Sequence, residues 1–406
     1  MNQMDLQIGR RDGDVLTPLL ETPFHPRLEA LDLNNDWSVW SGFKAPATLS
    51  DEELEYFAIR STAALFDISP MTKYRIEGPD AEAFCNRLTL RDVRRLGVGR
   101  VQYTAWCDDQ GHVLDDGTLF RLGPRLFRLC SQERHLPWLI DSAEGYDVTI
   151  ADESIEIAGL ALQGPTSWVV LRDAGFEGVE ILKPFQLADF PHEGGSVTIS
   201  RTGFTGDLGY ELFCHRDQAL GLWDRLWEAG SRNRLRAIGY NALNHARIEA
   251  GFIVANADFV TSETALRSDR LRLPDEIGLD WMVDLEKPNF NGRRAIVKAR
   301  EKKTLKHILV GLEVEGNVSG PLSLIYHRKR KEAGIVTASA WSPILKKNIA
   351  IASLARPYGE KVVDDLWVEI YALRELQYQK MMKRVKIVPR PFLKLDRRGA
   401  NPPGLT

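Results

Sequence analysis

Residues 99–123 read GRVQYTAWCDDQGHVLDDGTLFRLG. The runs 101–106 and 113–120 are rich in strand formers, and Asp108-Asp109-Gln110-Gly111 between them supplies turn residues, so the stretch predicts a β-hairpin. Upstream, 73–77 alternates as a strand, Gly78-Pro79-Asp80 turns it, and 81–88 opens a helix. A further helix is expected over 51–66, with Ser50 as N-cap, Glu53 three residues on, and Leu54, Phe57, Ala58 and Leu65 forming an apolar stripe. Downstream come a short strand at 126–130 and a second hairpin, 196–201 and 210–214, around Gly203, Gly206 and Gly209. Helices are expected at 220–229 and 239–250. Helices interleaved with antiparallel strands predict an α+β fold, not a doubly wound sheet. Beyond residue 300, short strands at 308–312, 334–336, 349–354 and 366–371 predict a small all-β unit. Residues 1–50, with Pro18, Pro23, Pro26 and Pro46, read as irregular, and RRGANPPGLT at the end as a surface tail.

The chain has 406 residues, 44% of them hydrophobic, enough for two or three packed units. A net charge of -3 leaves no basic face for nucleic acid. No apolar run is long enough to cross a bilayer, and the polar start, MNQMDLQIGRRDGDVL, lacks a signal-peptide core, so the expected compartment is the cytoplasm. Cys85, Cys107, Cys130 and Cys214 form no C-x-x-C pair and read as reduced, buried thiols. The eight histidines are scattered without zinc spacing, and no metal is expected. Phosphate-loop, dinucleotide and nucleophile-elbow motifs are also missing. The chemistry therefore falls to carboxylates and a bound organic cofactor.

Two carboxylate positions stand out. Asp115 and Asp116 follow Val113-Leu114 in an apolar run, where an Asp is costly unless paired. On a strand they point to opposite faces, so at most one can enter a shared cavity; the alternative is that both are solvated beside a bend at Gly117. Glu211 sits in the otherwise apolar Tyr210-Glu211-Leu212-Phe213, which glycines admitting positive φ do not explain.

Four blocks, taken together, resemble the glycine-cleavage T-protein (aminomethyltransferase) family. They are AIRSTAALFDISPMTKYRIEGPDAEAFCNRLTLRDV from Ala58; the quoted hairpin; LALQGPTSWVVL from Leu160 with SRTGFTGDLGYELF from Ser200; and ARIEAGFIVANADF from Ala246 with EIGLDWMVDLEKPNFNGRRAI from Glu276 and WSPILKKNIAIASL from Trp341. The resemblance implies a three-domain cloverleaf around a central folate site. One domain is made of 1–70 and 156–262, a second of 71–155, and 263–406 is a linker region and a β-barrel-like third. It further implies tetrahydrofolate as cofactor, with Asp116 at its reacting nitrogens as the catalytic residue. Glu211 would bind the two-donor edge of the pterin through a carboxylate fork. Tyr103, Phe204 and Trp281 match family positions around the folate, though each also suits a core. Arg247 matches the arginine of a family R-x-E pair, with a helix-end ion pair to Glu249 as the structural alternative.

The departures from the family pattern bear on the substrate. Leu243 and Asn244 replace an Arg-Asp pair, Ser131 replaces a folate-contacting Asn, and Ser41-Gly42-Phe43-Lys44-Ala45-Pro46 replaces G-W-E-M-P. The segment WVEIYALRELQYQKMMKRVKIVPRPF reads as an extension past the usual end. These features look like the branch of tetrahydrofolate-dependent demethylases that act on methoxylated aromatic acids or dimethylsulfoniopropionate. The expected reaction moves a methyl group from a small methoxylated donor to tetrahydrofolate. An aryl ether needs a proton donor at its leaving oxygen, for which His245, Tyr240 and Tyr103 are candidates. Alternatives are aminomethyl transfer in the glycine cleavage system, with a lipoyl carrier protein as partner, and a non-catalytic folate-binding protein.

Overall fold

The computed structural model describes residues 18–402, and the polar start read for a targeting signal lies outside them. Two open sheets and a barrel carry the architecture. The first sheet has six strands in the order Leu187–His192, Gly195–Ser200, Gly209–His215, Ile157–Gln163, Ala63–Asp67 and Leu235–Ala237. Only its last pair is parallel. The second has five antiparallel strands, Arg100–Cys107, Val113–Gly123, Leu126–Ser131, Thr72–Glu77 and Thr149–Asp152. The barrel closes six antiparallel strands, His307–Val314, Lys347–Ala355, Lys331–Ser342, Leu324–His327, Leu366–Arg374 and Gln377–Val388. The fold is thus α+β with an all-β C-terminal barrel. No helix of the described residues is long and apolar enough to cross a membrane.

The quoted hairpin forms in a register that sets the site. Ala105 pairs with Asp116, Tyr103 with Thr118 and Val101 with Phe120, so these six share one face, while Trp106 and Asp115 share the other.

Several local expectations need correction. The helix expected over 51–66 ends at Ser61, and its N-cap is Asp51, whose carboxylate accepts from the Leu54 N–H, not Ser50. Residues Ala63–Asp67 are instead a strand in the interior of the first sheet, buried at every position. An uninterrupted apolar run carries no period, so it reads equally well as the tail of a helix. The N-terminal region read as irregular contains a hairpin, Asp36–Trp40 with Phe43–Thr48, turned by Ser41 and Gly42, both at positive φ. The segment read as a C-terminal extension supplies the last two strands of the barrel. Of the segment read as a surface tail, residues 397–400 dock back on the molecule. Arg397 pairs with Asp207 at 2.6 Å and donates to the Arg60 carbonyl, and Arg201 donates to the Ala400 carbonyl.

Candidate functional site

The two open sheets face each other through Phe120 and Phe213, whose rings meet edge-on with centroids 5.5 Å apart. Around them Val101 and Cys130 of one sheet pack with Phe66 and Ala161 of the other. Two residues along from Phe120 is Thr118, then Asp116; two residues back from Phe213 is Glu211. Strand alternation therefore places Asp116 and Glu211 on the facing surfaces. Cys130, opposite Thr118, feels the Glu211 charge.

Asp116 is half-buried, and the Tyr103 hydroxyl donates to its Oδ2 at 2.6 Å. Burial, and then the charge of Asp115, push the Asp116 carboxyl up to about 8. Burial and the Asp116 carboxylate also hold the Tyr103 phenol well above its usual value, so it remains a donor. At neutral pH Asp116 thus keeps a proton that an ordinary surface aspartate would have lost.

Asp115 lies behind this pair and is fully buried. It accepts from the Asp116 and Glu133 backbone N–H groups at 2.8 and 3.1 Å, and pairs with His135 Nε2 at 3.1 Å. The other ring nitrogen of His135 meets Glu263 at 2.7 Å. Burial works against the imidazolium, but the hydrogen bonds to Asp115 and Glu263 outweigh it and raise His135 to about 9. The reading in which both aspartates are solvated is therefore wrong. Asp115 is a satisfied buried charge and Asp116 faces the space between the sheets. Nothing in the local sequence marks His135 as its partner, or Glu263 as the partner of His135.

Glu211 is half-buried, and burial raises its carboxyl; Thr202 donates to Oε2 at 2.5 Å. Its other oxygen accepts no hydrogen bond among the described residues and is free for a ligand's donors. The loop before it is held by Gln163, which donates to the Thr202 and Tyr210 carbonyls and accepts from Thr205. This corrects the reason for two glycines. Only Gly206 has a positive φ; a Cβ on Gly203 or Gly209 would lie 2.1 to 2.3 Å from the Gln163 side chain.

Tyr103 also lines a cleft of about 1200 Å³, together with Trp281, Phe252, Arg91, Arg390 and Arg398. Trp281 is 59% exposed, its ring centroid 6.3 Å from that of Tyr103, with the Arg91 guanidinium 5.5 Å from its ring. Phe204 stacks on Phe252 at 5.3 Å, one layer behind the cleft wall. Arg390 was not singled out by sequence, because nothing local links it to Tyr103.

Three further expected site residues take partners of their own. Arg247 does not pair with Glu249. It bonds to Asp258, Asn244 and the Phe252 carbonyl, whereas Glu249 is bound by Arg60, Tyr56 and Ser342. Residues two apart on a helix point to different sides, so each joins a different buried network. His245 faces Glu52 at 3.3 Å and the edge of Tyr56, away from the lining of the cleft. Tyr240 packs with Phe204 and Phe185 against the same apolar cluster that holds Phe120 and Phe213, and feels the charges of Arg247 and Asp258. Ser131 is buried and spent on Thr72 and the Glu133 carbonyl.

Residues 34–287 match the GCVT N-terminal domain, and residues 308–394 match the glycine cleavage T-protein C-terminal barrel domain. The second match contains the segment read as an extension, which is therefore ordinary family structure. A trimethylamine-oxide aldolase of Ruegeria pomeroyi is 37% identical over 313 residues, 73% of this chain but only 38% of that relative's length. An aminomethyltransferase of Geobacillus kaustophilus is 32% identical over 361 residues, 87% of this chain and 93% of that one. The crystal structure of aminomethyltransferase T from Bartonella henselae superposes with a TM-score of 0.80, covering 93% of this chain and 98% of that one at 24% identity, which establishes a shared fold.

Proposed function

The chain belongs to the GCVT (glycine-cleavage T-protein) family, and from that premise we propose that it is a tetrahydrofolate-dependent one-carbon transferase of the cytoplasm. Its donor, on this reading, is a small methoxylated aromatic compound, and its products are 5-methyltetrahydrofolate and a phenol. The observation that carries the reading is the Tyr103–Asp116 pair beside an aromatic-walled cleft, with Asp116 raised to about 8.

The residues present fit the cofactor. Glu211 has one oxygen with no hydrogen bond among the described residues, and the other, held by Thr202, keeps a second lone pair, so the carboxylate can accept both donors of a pterin's edge. When bound, tetrahydrofolate supplies the nitrogen that accepts the methyl group. The protein's part is placement and proton handling. Asp116, protonated at neutral pH, donates to the leaving ether oxygen, and its carboxylate then takes the proton released at the acceptor nitrogen. Tyr103 keeps the carboxyl in one rotamer through its 2.6 Å hydrogen bond. His245 is turned to Glu52 and Tyr56, and Asp116 and Tyr103, which bond each other, are the proton-bearing groups of this reading.

Leu243 and Asn244, in place of the family's Arg-Asp pair, favour a small-molecule donor over a lipoyl carrier protein. The similarity to aminomethyltransferases along nearly their whole length favours the second reading, aminomethyl transfer from that carrier. A relative named for trimethylamine oxide adds N-methyl compounds to the donors worth testing. The deciding experiment incubates the protein and tetrahydrofolate with methoxybenzoates, dimethylsulfoniopropionate and methylamines. It scores 5-methyl- against 5,10-methylene-tetrahydrofolate. 5-Methyltetrahydrofolate from a methoxybenzoate supports the proposal; 5,10-methylene-tetrahydrofolate formed only with an aminomethylated carrier overturns it.

A further inference from the structure

Glu211 follows a loop that has no ladder of its own. The strands on either side pair at Thr198–Phe213, Ile199–Leu212 and Ser200–Glu211, and residues 201–208 form neither helix nor strand. Such a segment keeps one shape only where side chains from elsewhere meet its polar groups. Gln163 supplies one hold from the neighbouring strand. Arg60 supplies another, donating to the Thr205 carbonyl at 2.9 Å and meeting Asp207 at 3.3 Å. A further set of contacts comes from residues 396–400, a single turn of chain closed by the Gly399 and Ala400 N–H groups on the Asp396 carbonyl. This strap lies past residues 308–394, the stretch shared with the family's barrel domain.

The strap meets the loop directly at both ends and through Phe252 in the middle. At one end the Arg397 fork closes on Asp207, Nε to Oδ1 at 2.6 Å and Nη2 to Oδ2 at 2.7 Å. The Asp207 side chain is fully buried, and a carboxylate out of water is costly unless charge and hydrogen bonds meet its oxygens. The same Oδ1 accepts from the Leu208 N–H at 2.8 Å, so the fork also fixes the loop backbone. At the other end buried Arg201 donates to the Ala400 and Arg398 carbonyls, so the strap satisfies part of a buried cation. In the middle the Arg398 guanidinium lies 5.0 Å from the Phe252 ring, which stacks on Phe204 of the loop at 5.3 Å. Next to Arg201 is Thr202, whose carbonyl is held by Gln163 and whose hydroxyl donates to Glu211 Oε2 at 2.5 Å. The placement of the loop is therefore passed to the carboxylate by one short, charge-assisted hydrogen bond.

We propose that the strap is a positioning element for Glu211, in which Arg397, together with the Ala400 carbonyl, fixes the loop so that Thr202 aims the carboxylate. Arg397 acts through Asp207 and Thr202, not by contact with the ligand. The grip on the loop stands on these contacts alone; the ligand that Glu211 meets rests on the folate reading. The Arg397 side chain is 37% exposed, and Asp207 keeps Arg60 without it, so removing the fork loosens the loop and still leaves the buried acid a partner.

Hydrogen exchange read by mass spectrometry and calorimetric titration with tetrahydrofolate, both on the full chain, test this. In Arg397→Gln the amides of residues 201–208 should exchange faster than in wild type, while those of the strand Thr72–Glu77 stay unchanged. Tetrahydrofolate should bind more weakly by about fivefold or more, and Arg397→Lys should recover part of the loss. Because the strap acts through Glu211, the two substitutions should not add. In a Glu211→Gln background Arg397→Gln should cost less than about twofold. Unchanged exchange in the loop, faster exchange with unchanged affinity, or the full extra loss in the Glu211→Gln background overturns the proposal. Should Arg397→Gln fail to fold, Arg397→Lys carries the same comparison with a smaller effect. A wild type that binds no tetrahydrofolate sinks the folate reading, and the exchange comparison still decides whether the strap holds the loop.

Discussion

Asp115 and Asp116 are the same residue at consecutive positions of one strand, and the structure gives them opposite tasks. Asp115 is fully buried, and its oxygens are occupied by two backbone N–H groups and His135. Asp116 has one phenolic side-chain partner and faces the space between the sheets. A charge with every valence filled inside a protein holds structure together; a carboxyl pushed up to about 8 and left partly unspent is available for chemistry. The first also acts on the second, since the Asp115 charge helps keep the Asp116 proton in place.

The contrast can be broken most directly at Asp116. Asp116→Asn should lower turnover by about 10²–10⁴-fold with the fold and tetrahydrofolate affinity nearly unchanged. The wild-type rate should fall as pH rises through about 8, because the acid form does the work. Stopped-flow or steady-state rates across pH 6 to 9.5 check both, and a rate that climbs through pH 8 would make Asp116 a base instead. Asp115→Asn should act on stability. Leaving His135 charged without its buried partner costs about 3–5 kcal/mol, read as a large drop in Tm. A variant with native Tm but lost turnover would erase the distinction between the two aspartates.

Glu211→Gln sharpens the comparison from the opposite sheet. Losing one charge-assisted fork should weaken tetrahydrofolate binding by about 1.5–3 kcal/mol without changing Tm much. Unchanged affinity by calorimetry removes Glu211 from the site. The smallest expected effect is on the pH dependence of stability. His135 has a folded-state pKa of about 9, above its ordinary value of 6.5. The stabilisation it gives is therefore fully present below about pH 6.5 and lost as pH rises through about 9. Thermal melts of wild type should decline over that window more steeply than those of His135→Gln, and parallel curves would show that the imidazolium contributes nothing.

How much of this was legible in the chain depends on the range of the cause. The hairpin Arg100–Cys107 with Val113–Gly123 could be read because strand formers, turn residues and period two are all local. The same period alone puts Asp115 and Asp116 on opposite faces. The strand Ala63–Asp67 was lost to the preceding helix because a run buried at every position has no period to betray it. Gly203 and Gly209 could be noticed in sequence, but their purpose, making room for Gln163, depends on a neighbouring strand.

By itself, then, the sequence determined which elements form wherever pattern and turn chemistry agree, and which face of its strand each aspartate takes. Tertiary structure alone decided that His135, itself held by Glu263, pairs with Asp115, that Arg247 serves Asp258, and that Arg390 reaches the cleft from the far end of the chain. The reason is physical. A side chain's direction follows from the φ and ψ of its own backbone, but its charge partner and its exposure to water are set by whatever other segments pack against it.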